Sequence, residues 1–243
     1  MKYSRQDKLF FRGIYGKVGK AIARNNLIES GDRILVGLSG GKDSLTMLTI
    51  LAERRKSSTV PYELAAVHIR SSAAMYKTDE SYLKNVCDSL GVPLYCEAID
   101  VEIREGTGKP MCFVCSWNRR KRLFEMARKL HCNKIALGHH RDDAIVTMMM
   151  GMFYNGIFSG MPAKLSLFGG EIVLIRPLIL LSEKEIVRFA GIRAFARQEK
   201  TCPYEDRTRR GEVEQLVAEL EGRIPEIRES LFASMSNIKS EYL

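Results

Sequence analysis

The feature that most constrains this chain is a repeated couplet: a short apolar run followed by a stretch with helical periodicity. Runs at 33–38, 64–69, 94–99, 134–138 and 171–175 read as strands, and helical patterns follow them at 45–52, 79–90, 118–130, 142–154 and 183–190. Leu83, Val86, Cys87 and Leu90 share a face of the second helix, and Leu123, Met126, Ala127 and Leu130 a face of the third. Strands without polar alternation are covered on both sides, and strands joined through helices run parallel by right-handed crossovers. The expected fold class is therefore α/β, a doubly wound parallel sheet. Before the first strand, Phe10, Ile14, Val18 and Ile22 at four-residue spacing predict a basic helix over 6–29. From about 200 onward the chain reads as a charged helical tail. The division expected is a basic N-terminal helix (1–30), a central domain (31–195) and a C-terminal helical tail (196–243).

Composition narrows the partners. Lys and Arg total 38 against 29 Asp and Glu, a formal net charge of +9, with 45% hydrophobic and 28% charged residues. Such proportions exclude a disordered chain and a collagen-like fibre. The positive excess favours a polyanion such as nucleic acid. The apolar runs are too short to cross a bilayer, and Met1 to Lys8 do not lead into a signal-peptide stretch, so the expected address is cytoplasmic, with no membrane partner. In that compartment the six cysteines are buried thiols, metal ligands or nucleophiles, not a disulfide framework.

Ligands of doubly wound sheets sit beyond the carboxyl ends of the strands, which directs attention to 39–44, 69–78 and 138–143. Ser39-Gly40-Gly41-Lys42-Asp43-Ser44 lies between the first strand and its helix. Its glycines let backbone N–H groups approach an anion, the helix N-terminus adds partial positive charge, and Lys42 adds a full one. It is not a Walker A loop: Gly37 and Gly41 bracket three residues where four are needed, and Asp43 follows Lys42 where Ser or Thr should stand. The competing reading is an ordinary glycine-rich turn.

Cys112-Phe-Val-Cys115 forms a C-x₂-C pair, Cys202 stands alone, and Cys87, Cys96 and Cys132 sit in structural patterns. Three uses compete for the pair. A zinc site would need a histidine to complete it, and a thioredoxin-type redox pair has no need of Cys202. A [4Fe-4S] cluster on Cys112, Cys115 and Cys202 would leave one iron without a protein ligand. Gly138-His-His-Arg-Asp-Asp143 ends a strand and opens a helix; its side chains could orient a nucleotide, hold Mg²⁺ or move protons, or Asp142 and Asp143 could simply cap the helix. Which of the two acids faces the site is open. Basic residues crowd around both cysteine segments, as expected of a surface that tracks an RNA backbone.

In combination these motifs resemble the PP-loop ATP pyrophosphatases and, among them, the tRNA 2-thiocytidine synthetase family, the tRNA-cytidine(32) 2-sulfurtransferases. The marks are Ser39 to Ser44, Cys112 to Cys115 followed by Arg119-Arg120, Leu137 to Asp143, Met152 to Gly156, Gly160 to Lys164 and Ile175 to Leu178. The resemblance implies cleavage of ATP between its α and β phosphates, adenylation of O2 of an anticodon-loop cytidine at position 32, and replacement of that oxygen by sulfur. It implies an ATP site on Leu38, Ser39, Gly40, Gly41, Lys42, Asp43, Ser44, His68, Ile69 and Gly138, with adenine near Val67. It also implies Mg²⁺ on the phosphates and a [4Fe-4S] cluster on Cys112, Cys115 and Cys202; the residues themselves, by type and position, make Asp43, Lys121, Asp142 and Asp143 the expected catalytic groups. The partners implied are tRNA, met by Arg119, Arg120, Lys164 and Arg209, a cysteine desulfurase or other sulfur donor, and a second copy of the chain in a homodimer. The sequence departs from the family at Cys202-Pro-Tyr-Glu205, which lacks a second C-x-x-C-like stretch, and at Ser71 to Tyr76. A thiolase of another tRNA base or a small molecule, working through a cysteine persulfide, is the alternative enzyme; a non-catalytic RNA-binding module is the alternative outside catalysis.

Overall fold

The computed structural model describes residues 3–71, 79–100, 111–196, 209–239 and 241. Its strands are β1 (Asp32–Gly37), β2 (Tyr62–Ser71), β3 (Leu94–Ile99), β4 (Lys134–Ala136), β5 (Lys164–Leu167) and β6 (Ile172–Ile175), in one sheet ordered β3-β2-β1-β4-β6-β5. All neighbours run parallel except β5, which pairs antiparallel with β6 at the edge. The helices are α1 (Arg5–Arg24), α2 (Lys42–Ser57), α3 (Glu80–Leu90), α4 (Met111–Lys129), α5 (Arg141–Asn155), α6 (Glu183–Ile192), α7 (Arg209–Arg223) and α8 (Ile227–Ser234). The α/β doubly wound architecture is the one the couplets predict. None of the helices described is long and apolar enough to cross a membrane.

The central strand shows why the apolar runs are unbroken. Ile34 and Val36 enter a core shared with α1, α2, α3 and α6, whereas Leu35, between them, enters a second core with Leu123, Met126 and Ala127 of α4. A strand covered on both faces has no position for a polar residue. Helix α2 is buried at every residue from Ser44 to Ala52, as a helix surrounded by other elements must be. Val213 and Val217 of α7, with Leu231 and Phe232 of α8, close over Ile145, Val146, Met148 and Met149 of α5. The charged tail is therefore packed onto the domain.

Three local readings change. Helix α1 stops at Arg24 and not 29, because Asn25 folds its side chain back onto the Ala21 carbonyl (2.9 Å) and Asn26 takes a left-handed φ of 46°. Helix α4 begins at Met111, seven residues before the expected 118, so both cysteines of the C-x₂-C fall on its first turns. The β5–β6 hairpin was not anticipated. Its turn runs through Phe168, Gly169 and Gly170, all at positive φ, and each of its strands has only four residues, too few for a clear alternation.

Candidate active site

The chain leaves β1 toward β2 on one side and returns to β4 on the other, so the sheet's switch point lies outside the carboxyl ends of β1 and β4. Ser39 to Ser44 occupy that point. Leu38 donates its N–H to the Val67 carbonyl (2.9 Å), and His68, almost fully buried, donates from Nδ1 to the Leu38 carbonyl at 2.7 Å. Burial holds the His68 imidazole below its usual pKa, against the pull of that bond, so the ring is a neutral brace beneath the loop. Gly40 turns the loop with a φ of 87°. Gly41 caps α2 without a side chain, which leaves the first-turn N–H groups of the helix open to a ligand. The Ser39 hydroxyl accepts from Gly41 N–H (3.3 Å) and lies 3.1 Å from the Ser44 hydroxyl, which bonds the Gly41 carbonyl at 3.0 Å. Gly138, at the end of β4, presses so closely that a Cβ there would stand 3.1 Å from both the Asp43 carbonyl carbon and the Ser44 nitrogen.

On one side of the loop is a polar cavity of about 500 Å³, lined by Lys42, Asp43, Asp142, Asp143, Arg210 and Arg228 among others. Lys42 reaches Asp43 (3.1 Å) and Glu183 (3.2 Å); burial lowers its pKa, but the two acids outweigh it and the net is above the ordinary lysine value. That 3.1 Å contact is to Asp43 Oδ1, an ion pair outside hydrogen-bond geometry, while the Lys42 hydrogen bond goes to Oδ2 (3.4 Å). The acid pair that the sequence leaves unresolved has both members engaged. Asp143 caps α5 by accepting His140 N–H (2.9 Å) and pairs with Arg210 of α7, while Asp142 accepts Glu183 N–H at the head of α6 (2.8 Å) and Arg228 of α8 (2.7 Å). His140 is buried between them, with Nε2 4.0 Å from Asp43 Oδ1.

On the other side a larger cavity of about 810 Å³ runs beneath α4. Its walls are mainly apolar, among them Val67, Ile69, Leu123, Phe124, Leu137 and Leu174, and its polar groups include Ser39, Ser116, Arg119, Arg120, His139 and Arg176. Leu38 and Ile69 line this cavity as well. Arg119, which donates to the Ile69 carbonyl (3.4 Å), and Arg120 also line it, so these two cations face inward and not only toward an outer surface. Lys121 lines neither cavity; it is exposed, its ammonium 6.0 Å from the Trp117 ring. Lys164 donates to the Asn26 carbonyl (2.7 Å), and Arg209 lies over the Tyr154 ring at 4.8 Å.

Sequence reasoning gave no role to Arg176 and none specific to His139. Arg176 follows the carboxyl end of β6, where the strand-end rule also applies. Burial pushes the His139 imidazole down to about 4, with the cations Arg176, Arg210 and Arg120 acting in the same direction and Asp143 against it.

Cys115 is half-buried on α4, its Sγ 3.5 Å from the Ser71 hydroxyl at the end of β2. Ser116, the next residue, lines the larger cavity. The backbone of Cys112 lies one turn earlier on the same helix, but its side chain, Cys202 and most of the 69–78 segment fall outside the described residues. A helix N-terminus that carries two cysteines offers soft thiolate donors, which suit an iron–sulfur cluster or zinc. Among the described residues no group of three or more His, Cys, Asp or Glu could hold a metal ion.

The sequence matches the PP-loop domain family over residues 15–217. A tRNA-cytidine(32) 2-sulfurtransferase of Pelobacter propionicus is 37% identical over 239 residues, 96% of this chain and 88% of the relative. One from Vibrio cholerae is 40% identical over 230 residues, 93% of this chain and 74% of the relative. Among solved structures, the U34-tRNA thiolase NcsA from Methanococcus maripaludis, determined with its [4Fe-4S] cluster, superposes with a TM-score of 0.77 at 23% identity, covering 95% of this chain and 80% of that one, a likeness of fold. On the phosphate loop at the switch point and these full-length similarities, the chain belongs to the PP-loop family and, within it, to the tRNA-cytidine(32) 2-sulfurtransferases.

Proposed function

We propose that this chain thiolates tRNA in an ATP-dependent reaction, replacing O2 of cytidine 32 by sulfur and releasing AMP and pyrophosphate. One observation carries the proposal: a single cavity has Ser39 of the phosphate loop in its lining at one place and Ser116, beside Cys115, at another. A base in that cavity can meet both an activated phosphate and a sulfur source.

The triphosphate lies on the first-turn amides of α2, the hydroxyls of Ser39 and Ser44, and Lys42. Mg²⁺ would neutralise it, held in part by Asp43, whose Oδ1 is paired with the Lys42 ammonium. The cytidine O2 attacks the α-phosphorus and pyrophosphate departs toward Lys42, its charge met by the α2 dipole. Adenylation turns a poor leaving oxygen into a good one; a sulfur nucleophile then forms the bond to C2 as the C2–O bond breaks and AMP leaves. The cavity's apolar walls keep water from competing for the activated carbon. Cys112, Cys115 and Cys202 would hold a [4Fe-4S] cluster, which would supply the site that carries the sulfur. Asp142 and Asp143 hold the helices around the site, and Lys121 with Arg209 and Lys164 belongs to the surface offered to the tRNA. The sulfur comes from a cysteine desulfurase or another donor in the cytoplasm.

Nucleoside mass spectrometry of tRNA from a deletion strain tests the reaction: 2-thiocytidine disappears and returns with the wild-type gene. Undiminished 2-thiocytidine refutes the assignment. Iron and sulfide assays on anaerobic protein test the cofactor: brown protein that bleaches in Cys115→Ser is expected, and stoichiometric zinc in colourless protein removes the cluster from the proposal.

A further inference from the structure

His139 and Arg176 leave the ends of two adjacent parallel strands, β4 and β6, where Ala136 pairs with Ile175. Both line the apolar cavity. Arg176, itself buried, donates from Nη1 to the Pro162 carbonyl (2.5 Å) and from Nε to His139 Nδ1 (3.4 Å). An arginine always donates, so the nitrogen it meets must carry the lone pair and the ring proton belongs on Nε2. Among the described residues nothing accepts from that nitrogen. We infer that Arg176 fixes His139 as the neutral Nε2–H tautomer, and that this N–H is a hydrogen-bond donor to the O2 carbonyl of the pyrimidine to be thiolated. The inference rests on the thiolation reading for the identity of the acceptor.

The surroundings favour a base over a phosphate as acceptor. Phosphates already have the α2 amides, Ser39, Ser44 and Lys42 on the loop. The cavity's other strong donors, Arg119, Arg120 and Arg176, are full cations, and a cation held against O2 would withdraw the electron pair that must attack phosphorus. A neutral donor orients the oxygen through one lone pair and leaves the other free. When the C2–O bond later breaks, the same donor meets the negative charge that develops there. Burial is the main reason the ring stays neutral; of the charged groups that face it, Arg176 after β6, Arg210 of α7 and Arg120 of α4 act in the same direction and Asp143 of α5 against it.

Three measurements on the full chain decide the matter. In ¹⁵N spectra of wild-type protein, with the signal among four histidines assigned by its loss in His139→Gln, the expected result at pH 7 is a bare Nδ1 and a protonated Nε2 that does not titrate above pH 5. A protonated Nδ1, or titration near 6.5, overturns the tautomer. In the steady state, His139→Ala is expected to lower tRNA thiolation by about 10²-fold with ATP binding unchanged, and His139→Gln, which keeps a donor, to recover most of it. Equal loss in both variants, or a weaker grip on ATP, overturns the role. Arg176 acts through His139 as a positioning residue, so Arg176→Met, which removes the donor to Nδ1, should let the ¹⁵N spectrum of His139 show both neutral tautomers where wild type shows one. A ring still held wholly as the Nε2–H form in that variant excludes the coupling. The tautomer is read without turnover, so a wild-type enzyme that thiolates a different base removes the cytidine reading and leaves the His139–Arg176 result standing.

Discussion

Gly138→Ala puts one methyl group where the sheet meets the phosphate loop. The added carbon would stand 3.1 Å from Asp43 C and Ser44 N and 3.3 Å from Asp43 O, all backbone atoms in the first turn of α2. No rotamer change relieves such a contact, so the start of α2 has to move by a few tenths of an ångström. Overpacking of this kind costs about 1–3 kcal/mol of stability. The larger effect falls on ligand binding, because the displaced amides are the ones that face the phosphates. Hydrogen bonds to a charged group contribute about 1.5–3 kcal/mol each, and misaligning one by half its value raises the ATP dissociation constant by roughly fourfold to tenfold. Two displaced amides bring the expected rise to at least tenfold. Calorimetric titration with a non-hydrolysable ATP analogue measures it, and a thermal melt confirms the fold. Unchanged affinity, within a factor of two, would show that the loop yields freely and that its close contact with β4 does not set its geometry.

Gly222→Ala is the matching control: Gly222 lies in α7 with nothing within 4 Å of its would-be Cβ, so the variant should gain about 0.5–1 kcal/mol in urea denaturation. Lys134→Met should cost about 3 kcal/mol by the same assay, because Lys134 is buried against Asp32 (2.7 Å) and Glu29 (2.9 Å) and its loss strands the buried Asp32. The cost stays at the low end because Asp32 keeps the donors Glu29 N–H and Asn133 Nδ2. Stability should also depend on the His139 proton: the group binds it near 6.5 when unfolded and at about 4 when folded. Its contribution is thus fully present above pH 6.5 and is lost as pH falls toward 4, about 3 kcal/mol in all. His139→Gln should flatten that part of the stability profile, and an unchanged slope would assign the acid sensitivity to other groups.

The parallel core was legible because its strands are covered on both faces: Ile34, Leu35 and Val36 cannot alternate with polar residues when one core takes the first and third and another takes the second. The phosphate loop was legible for a similar reason, since its six residues are contiguous and carry their chemistry in their own backbone. What stayed hidden depends on distance in space. His68 looked like a nucleotide contact because it sits at a strand end, yet the alternation of side chains turns it under the loop to brace Leu38. Arg176 was visible in the sequence as part of a motif, but only the parallel pairing of β4 with β6 brings it to His139. Asp142 and Asp143 could not be told apart because their partners, Arg228 and Arg210, lie 86 and 67 residues away.

Those two arginines explain how an anion site tolerates so many acids. Asp43, Asp142, Asp143, Glu183 and Glu214 all line the cavity beside a loop shaped for a triphosphate. Left bare, these carboxylates would repel the nucleotide. Asp142, at 9% side-chain exposure, is neutralised by Arg228 and the Glu183 N–H, and Asp143 by Arg210 and the His140 N–H. Helices α7 and α8 thus supply the counter-charge that makes the loop's positive potential count. Arg228→Met keeps the volume and removes the charge. It should weaken ATP binding by about tenfold at low salt and by less at high salt, because added ions screen the uncovered Asp142. Arg228→Lys should restore part of the loss, since it returns charge without the arginine's planar fork. The salt dependence separates this account from simple loosening of α8: a loss of affinity that is the same at both ionic strengths would mean that Arg228 acts by packing, and that the acids around the loop are not what it controls.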